Sequence, residues 1–246
     1  MKKIRFCLFL LVFLISSLML TSCKSFKEMA KELETKISES KISANVRVKA
    51  FFSQSWVSEV RLTKTASGVI VKEDDNTFYV LCNNHTLYSE YSYCKIEVID
   101  YLENKYTAEL IDKSSSYDLA LISFTSSESL ENVKISSSLP RKNDIVASLG
   151  EMNMERNVIT SGKYKGLTNY TAPENVSYEE NSIDFEVISH TSKIGEGSSG
   201  SMLLNYDLEL IGINFSSDYS NDTFYQGYAI PQNKILNFLN EINFTI

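Results

Sequence analysis

Glycines in this chain concentrate where a serine could act as a nucleophile. Three of the nine glycines fall within residues 195–200, Gly-Glu-Gly-Ser-Ser-Gly, and the apolar run Met202–Leu204 follows. Glycine density of this kind marks backbone that turns tightly or approaches another group closely. A nucleophilic serine requires such a turn, because its hydroxyl must be exposed and backbone N–H groups must converge beside it to bind an oxyanion. A Gly/Ser hairpin loop without chemistry explains the same residues.

A serine nucleophile also needs a base and a carboxylate, and the chain has only two histidines, His85 and His190. His85 closely follows the apolar run 78–81, so it lies at the end of a predicted strand, where an imidazole can point into a cleft. Asp118 directly precedes the apolar run 119–122, which is typical of a buried strand. Its carboxylate is a candidate for orienting the imidazole. A hydrogen-bonded core histidine and a turn aspartate are the plain alternatives.

The order of these residues separates the classes of serine hydrolase. An α/β-hydrolase places its histidine after its serine, and no histidine follows Ser199. The subtilisin order requires an aspartate well upstream of the histidine, and only Asp74 and Asp75 precede His85, in a predicted turn. The order His85, Asp118, Ser199 is that of chymotrypsin-like proteases.

The elements that must position these residues are short β-type runs, which begin at about Asn45 and are separated by polar breaks. No long helical pattern lies between them, so the sequence predicts an all-β sandwich or barrel. The polar stretch Ser136–Asn143 is expected to separate two halves, and Pro231 opens a terminal amphipathic helix, Gln232–Ile242. The polar segment Met152–Lys165 is expected to be a mobile loop beside the cleft. The predicted strands are Ser67–Val71, Thr77–Leu81, Lys95–Tyr101, Tyr106–Ile111, Leu119–Phe124, Asp144–Leu149, Ile183–Ile188, Ser201–Leu204, Glu209–Phe215 and Thr223–Ile230.

Five motifs follow one another in a fixed order over residues 65–239. They are Ser-Gly-Val-Ile-Val at 67–71 leading to 80–85, Tyr-Asp-Leu-Ala-Leu-Ile at 117–122, Gly-Ser-Ser-Gly-Ser at 197–201, Leu-Ile-Gly-Ile-Asn at 210–214 and Gly-Tyr-Ala-Ile-Pro at 227–231. Together they resemble the protease domain of HtrA-type trypsin-like serine proteases. The resemblance implies two antiparallel β-barrels of the chymotrypsin-like type, at about 45–135 and 144–230, with a short C-terminal helix. It also implies a protease domain over 45–246 without a PDZ domain.

The resemblance implies a role for each of the three candidate residues. Ser199 attacks the scissile carbonyl, His85 takes its proton, and Asp118 orients the imidazole. The backbone N–H groups of Gly197 and Ser199 form the oxyanion hole. This chemistry needs no metal or cofactor, and the expected partners are protein or peptide substrates.

The resemblance also implies a primary specificity pocket. His190 is expected on the outer wall of this pocket or at the surface, outside the catalytic unit, and the Lys193 side chain is expected to turn outward. The implied pocket residues are Lys193, Ile194, Gly195, Glu196, Asn214, Phe215, Ser216 and Gly227.

Three positions depart from the patterns of related enzymes. Ser198 stands where HtrA-type enzymes usually have asparagine, and Ser201 stands where they have glycine. The Gly-x-Ser-Gly-Ser arrangement occurs in secreted glutamyl-endopeptidase-like relatives, but these carry a histidine where this chain has Asn214. Specificity for glutamate is therefore not expected. A non-catalytic surface lipoprotein that keeps the protease fold for binding or adhesion is the alternative function.

The N-terminus has the pattern of an export signal. Three basic residues precede the apolar run Phe6–Leu20, which as a helix spans roughly 22 Å and is short of the ~30 Å hydrocarbon core of a bilayer. The run ends in Leu-Thr-Ser-Cys, which resembles a bacterial lipobox. This pattern predicts a lipoprotein signal peptide over 1–22, a lipidated Cys23 and a location on the outer face of a bacterial cell membrane. An ordinary signal peptide with a chance cysteine stays an alternative.

Residues 23–44 carry a helical stripe and predict a short amphipathic stalk between membrane and domain, with a trimerisation or regulatory helix as the lesser alternative. Cys82 and Cys94 could pair outside the cytosol or stay reduced in the core. The net charge of −7 and the absence of basic runs after the N-terminus exclude nucleic acid as a partner class. The stripe consists of Phe26, Met29, Ala30, Leu33 and Ile37.

Overall fold

The computed structural model describes residues 24–171, 183–220 and 223–246, so the predicted signal peptide 1–22 and Cys23 lie outside the described residues. The described residues form two closed antiparallel barrels of six strands each, which confirms the predicted fold class. The first barrel contains β1 (Asn45–Ser53), β2 (Leu62–Asp74), β3 (Thr77–Cys82), β4 (Tyr93–Ile99), β5 (Lys105–Ser114) and β6 (Leu119–Thr125). The second contains β7 (Ile145–Met152), β8 (Glu155–Thr168), β9 (Val187–His190), β10 (Met202–Leu204), β11 (Leu210–Ser220) and β12 (Thr223–Pro231).

Strands that are apolar on both faces lie where the two barrels pack together. In β6, Leu119 and Leu121 belong to the core between the barrels, whereas Ala120 and Ile122 face the interior of the first barrel. This double burial explains why the first four residues of β6 form a continuous apolar run rather than an alternating pattern. By contrast, β1 alternates buried and half-buried positions over most of its length, as a strand covered on one face does. The cleft predicted between the barrels therefore lies beside strands that are buried on both faces.

Two strands were not predicted, and one of them corrects an expectation. The segment Met152–Lys165, expected to be a mobile loop, is largely the 14-residue strand β8. Its side chains are mostly half-buried or exposed, so the sequence lacks an apolar pattern there. Backbone hydrogen bonds to β7 and β9 hold the strand in place. The strand β1 was missed as well, and β9 begins four residues later than predicted.

The helical stripe near the N-terminus forms α1 (Phe26–Ser40), which starts in a capping box between Ser25 and Glu28. Leu33 and Ile37 are fully buried against the second barrel. The helix is therefore packed on the folded domain rather than standing clear of it as a spacer. At the other end, α2 (Gln232–Glu241) is the predicted C-terminal helix. Neither helix of the described chain has the length and apolarity needed to cross a bilayer.

The two cysteines of the first barrel carry free thiols. Complete burial raises the pKa of the Cys82 thiol to about 12, and partial burial raises the pKa of Cys94 as well. Because the thiolate is the reactive form, the raised pKa keeps Cys82 as an unreactive thiol at neutral pH, where it packs as a small apolar group.

Candidate active site

Pairing of two neighbouring strands brings His85 and Asp118 together. His85 lies in a one-turn 3-10 helix, Asn84–Leu87, which follows β3, and Asp118 directly precedes β6. The strands β3 and β6 are antiparallel partners, with Cys82 opposite Ala120. The end of one strand therefore lies beside the start of the other. Ser199 comes from the second barrel, in the turn before β10.

The three predicted residues form one continuous hydrogen-bonded chain. Asp118 Oδ2 lies 2.8 Å from His85 Nδ1, and His85 Nε2 lies 3.0 Å from the Ser199 hydroxyl oxygen. The other carboxylate oxygen of Asp118 accepts the backbone N–H of His85 at 2.9 Å. With Nδ1–H donated to the carboxylate, the Nε2 lone pair faces the serine hydroxyl, which is the tautomer that a general base requires.

The carboxylate and the imidazole of this hydrogen-bonded chain differ in burial in the way that catalysis requires. Asp118 is fully buried, whereas 21% of the His85 side chain is exposed to solvent. A substrate can therefore reach the imidazole, and the carboxylate stays shielded from water. Such shielding strengthens the interaction between a carboxylate and an imidazolium.

The backbone around Asp118 is held by contacts that the sequence did not reveal. Asp118 has φ of 50°, in the left-handed region that aspartate enters more readily than most residues. The buried amide of Asn83 donates to the Asp118 carbonyl at 2.9 Å, and Lys64 Nζ donates to the His85 carbonyl at 2.8 Å. Asn83 directly precedes the helix that carries His85 and is fully buried, and its sequence context does not indicate this role.

Left-handed glycines shape the turn that carries Ser199. Gly197 has φ of 86° and Gly200 has φ of 83°, where a side chain is strained. A Cβ on Gly200 would lie 2.0 Å from the carbonyl oxygen of Ser67, so glycine is required for this close approach to the first barrel. Among the described residues, no protein group accepts the backbone N–H of Gly197 or Ser199. Both donors remain available beside the hydroxyl.

The two serines that depart from the HtrA-type pattern, one residue before and two residues after Ser199, are both buried and hydrogen-bonded. The Ser198 hydroxyl donates to the Glu151 carbonyl at 2.8 Å and accepts the N–H of Gly195 at 3.0 Å. The Ser201 hydroxyl accepts the side-chain N–H of Asn214 at 2.9 Å. Both departures from the family pattern therefore stabilise the turn, and neither blocks it.

His190 is fully buried, so the expected alternative of a surface position is wrong. Its Nε2 donates to Asn214 Oδ1 at 2.9 Å, and a Cβ on Gly227 would lie 2.5 Å from its ring. The imidazole therefore packs directly against the Gly227 backbone. Burial lowers the pKa of His190 to about 4. All four residues of β9 are buried, which the polar residues Ser189 and His190 do not indicate in the sequence.

The remaining predicted pocket residues divide into exposed and buried groups. Lys193 is exposed, as expected, and so is Glu196. Ile194 is buried, and its carbonyl accepts the Tyr219 hydroxyl at 2.6 Å. The Asn214 side chain is fully buried and donates to Ser148 as well as to Ser201, so its amide groups are already bonded within the protein.

An aromatic residue missed from the sequence lies next to the predicted pocket. The ring of Tyr170 packs edge-on against Phe215, with 4.8 Å between centroids, and its hydroxyl donates to Ser216 at 3.1 Å. Tyr228 packs against the same ring at 5.3 Å. This aromatic cluster borders the pocket strand β11. Tyr170 gave no signal because it belongs to no sequence motif.

A groove other than the predicted specificity pocket borders the turn that carries Ser199. Its volume is about 450 Å³, and it lies between the first strands of one barrel and the β7–β8 turn of the other. Within the described ranges, no cluster of His, Cys, Asp and Glu side chains is arranged to hold a metal ion. The groove is lined by Arg47, Lys49, Thr63, Thr65, Glu151, Met154, Glu196 and Gly197.

Comparison with known proteins agrees with this geometry. Residues 66–213 match the trypsin-like peptidase domain family. The chain is 32% identical over 188 residues to the serine protease Do-like HtrA of Bacillus subtilis, covering 74% of this chain and 40% of that protein. It is 31% identical over 180 residues to the periplasmic serine endoprotease DegP of Salmonella typhimurium, covering 72% of this chain and 35% of that protein. The match therefore spans well under half the length of these relatives.

A solved structure shows the same fold. The active form of the Rv3671c protease from M. tuberculosis superposes with a TM-score of 0.70, covering 87% of each chain at 13% identity. At this identity the likeness concerns the arrangement of the strands and not the activity.

Proposed function

Because this chain belongs to the trypsin-like peptidase family, we propose that it is a serine endopeptidase that cleaves proteins or peptides through an acyl-enzyme on Ser199. The proposal rests on the hydrogen-bonded chain from Asp118 through His85 to Ser199, which runs from one barrel to the other. A protein that used this fold only for binding would not need a carboxylate, a base and a hydroxyl hydrogen-bonded to one another in this order.

In the first half of the proposed reaction, Ser199 Oγ adds to the scissile carbonyl carbon while its proton passes to His85 Nε2. Asp118 keeps its hydrogen bond to Nδ1–H and stabilises the imidazolium that forms. The carbonyl oxygen becomes an oxyanion and accepts the backbone N–H groups of Gly197 and Ser199. One donor in such a site contributes ~3 kcal/mol of transition-state stabilisation.

Collapse of this intermediate breaks the C–N bond, and His85 Nε2–H gives its proton to the leaving amine. The acyl group remains on Ser199 as an ester. A water molecule then loses a proton to His85 as it adds to the ester carbonyl, and the second collapse returns the proton to Ser199 Oγ and releases the acid. Every proton moves through His85, and no cofactor takes part.

The pocket proposed for the substrate side chain preceding the cleaved bond is lined by Ile194, Phe215 and Gly227. The side-chain amide of Asn214 is already bonded to His190, Ser148 and Ser201. Asn214 can therefore contribute only its backbone to this pocket. Asn214 stands where the glutamate-selective relatives carry a histidine, so we do not expect this pocket to select an acidic side chain. A peptide-library cleavage profile that showed a strong preference for glutamate would contradict this proposal.

A fluorophosphonate probe together with casein cleavage tests the activity. We expect one label per wild-type chain at Ser199, and neither label nor cleavage from Ser199→Ala. Ser137→Ala is the matched control, because it removes an exposed hydroxyl in the linker between the barrels and should label and cleave as the wild type does. A folded wild-type protein that neither reacts nor cleaves would favour the binding or adhesion function instead.

We further propose that the enzyme works on the outer face of a bacterial membrane, anchored by a lipid on Cys23. The basis is the basic start, the apolar run and the Leu-Thr-Ser-Cys ending of the N-terminal sequence. Palmitate labelling of the full chain in a bacterial host should be lost in Cys23→Ala, which should leave the membrane fraction. Cys7→Ala, within the signal, is the control and should remain labelled. Retention of Cys23→Ala after alkaline extraction would show that the segment is an uncleaved membrane helix.

A further inference from the structure

A buried carboxylate lies directly behind the nucleophile turn and takes no part in the proposed chemistry. Glu151 ends the buried part of β7 and is 2% exposed. Its Oε2 accepts Arg47 Nε at 2.6 Å, and Arg47 belongs to β1 of the other barrel. A second arginine, Arg156 of β8, brings its Nε within 3.6 Å of Oε1. The carboxylate therefore links the first barrel to the β7–β8 hairpin of the second.

The backbone of the same residue is hydrogen-bonded into the turn that carries the proposed oxyanion donors. The Glu151 carbonyl accepts the Ser198 hydroxyl at 2.8 Å, and its N–H donates to the Ser67 hydroxyl at 2.8 Å. That hydroxyl in turn donates to the Gly197 carbonyl at 2.9 Å. The two segments also lie within van der Waals reach, since a Cβ on Gly197 would lie 3.5 Å from the Glu151 Cβ. Glu151 therefore helps to hold the Gly197–Ser198 peptide, which lies between the two proposed oxyanion donors, the N–H groups of Gly197 and Ser199.

We propose that the Arg47–Glu151 ion pair is a positioning device that fixes the Gly197 N–H toward the developing oxyanion. Neither side chain touches the substrate carbonyl, so both are positioning residues and not catalytic ones. The inference rests on the proposed protease function. It identifies which side chains, outside the three reacting residues, keep the oxyanion donors in register across the two barrels.

The energetics favour a positioning role over a simple gain in stability. Removing two charges from water costs as much as their attraction returns, so a buried ion pair seldom adds net stability, and apolar residues of the same size do as well. What a buried pair can supply is a defined geometry. Oxyanion donors require that definition, because their effect depends on placement to within about 0.5 Å.

The second arginine has its own supports. Arg156 donates to the Asp100 carbonyl at 2.6 Å and also pairs with Glu103. Its place in the hairpin is therefore fixed without Glu151. The side chain of Arg47, in contrast, donates only to Glu151 and, at 3.4 Å, to the Met154 carbonyl among the described residues. Loss of the Glu151 charge is thus expected to release the cross-barrel contact first.

Glu151→Gln tests the proposal, since it removes the charge and leaves the backbone contacts in place. Loss of a whole oxyanion donor costs about 10²–10³ in kcat, and we expect misplacement of one donor to cost about 10- to 100-fold. KM should stay within about threefold. The inhibition constant of a peptide boronate, whose tetrahedral adduct places an oxygen in the oxyanion hole, should rise by the same factor as kcat/KM falls.

Asp100→Asn is the matched control. Asp100 is also a fully buried carboxylate, but its side chain accepts the N–H groups of Leu102 and Asn104 and the Tyr106 hydroxyl in the β4–β5 turn. The hydrogen bond from Arg156 goes to its backbone carbonyl, which this substitution leaves in place. Both variants are expected to melt at lower temperature, and rates are therefore compared at least about 15 °C below each melting point. Only Glu151→Gln should lose kcat. An unchanged kcat in Glu151→Gln, or an equal loss in Asp100→Asn, would overturn the inference.

A measurement that does not depend on turnover separates this inference from the proposed function. With nine glycines in the chain, a ¹⁵N-glycine-labelled sample gives a simple amide spectrum in which Gly197→Ala identifies the Gly197 peak. That peak should shift or broaden in Glu151→Gln and not in Asp100→Asn. If the Gly197 peak moves in Glu151→Gln although the wild-type protein cleaves nothing, the protease proposal fails and the positioning role stands. An unmoved Gly197 peak contradicts the positioning role whether or not the chain is active.

Discussion

The two histidines of this chain are both hydrogen-bonded within the protein, yet their surroundings are opposite in character. His85 lies between the barrels, is partly exposed, and bonds to the carboxylate of Asp118. His190 lies inside the second barrel, is fully buried, and bonds to the neutral amide of Asn214. One imidazole faces a serine hydroxyl and the other faces the backbone of Gly227.

The contrast shows what makes a histidine a base. An imidazole that takes a proton must tolerate the charge, which a buried carboxylate allows and a buried amide does not. It must also be reachable by the substrate. His190 satisfies neither requirement, and its lowered pKa follows from burial without a charged partner. The contrast supports His85 as the proposed base and a structural role for His190.

The largest expected effect comes from removing the base or the nucleophile. His85→Ala and Ser199→Ala should each lower kcat by about 10⁴ or more, and the double variant should lose little beyond either one, because such residues act as a unit. Steady-state kinetics on a protein substrate measure this. An active His85→Ala enzyme would show that the base has been assigned to the wrong histidine.

The carboxylate comes next. Asp118→Asn gives the His85 site a neutral amide partner, as at His190, and should lower kcat by about 10³–10⁴ because the imidazole loses its tautomer control. The geometry should otherwise persist, so the fluorophosphonate reaction should slow by a similar factor while KM changes little. Near-normal turnover in this variant would mean that the carboxylate does not distinguish the two sites.

A third prediction concerns stability at acid pH. The folded pKa of His190 is about 4, below its usual ~6.5 in an unfolded chain. Between these values the unfolded state binds the proton and the folded state does not. Acidification from pH 7 to pH 4 should therefore cost ~3 kcal/mol of unfolding free energy through this residue. His190→Gln keeps a donor for Asn214 and has no such proton, so the stability difference between the two proteins, measured by urea unfolding, should shift by this amount. A difference independent of pH would show that His190 titrates normally.

The smallest expected effect is that of His190 on catalysis. His190→Ala should leave kcat within about tenfold of the wild type, with any change mainly in KM, because the residue supports the pocket and reaches no reacting atom. The variant is also expected to be less stable, since it leaves a cavity and an unbonded Asn214 oxygen. Rates are therefore compared well below its melting temperature. A folded but inactive His190→Ala protein would contradict the distinction between the two histidines.

Segments with strong local patterns were predictable and those with weak patterns were not. The apolar run at 119–122 predicted β6 almost to the residue, because burial on both faces leaves only apolar positions. The strand β8 was missed because most of its side chains are only half-buried, which leaves no apolar pattern, and its hydrogen bonds come from neighbouring strands. The same limit applies to Asn83 and Ser67, whose contacts lie 35 and 130 residues away.

The sequence alone determined the fold class and the three candidate residues. Chain order, glycine density and strand patterns can be read without knowing which distant segments pack together. It did not determine where His190 lies or that Glu151 bridges the barrels. Those placements depend on strands that meet only when each barrel closes and the two barrels pack together. Closure and packing also bring Ser199 to His85 across 114 residues. A local pattern reports the conformation and polarity of its own segment, whereas the environment of a buried polar group is set by the residues that distant segments place around it.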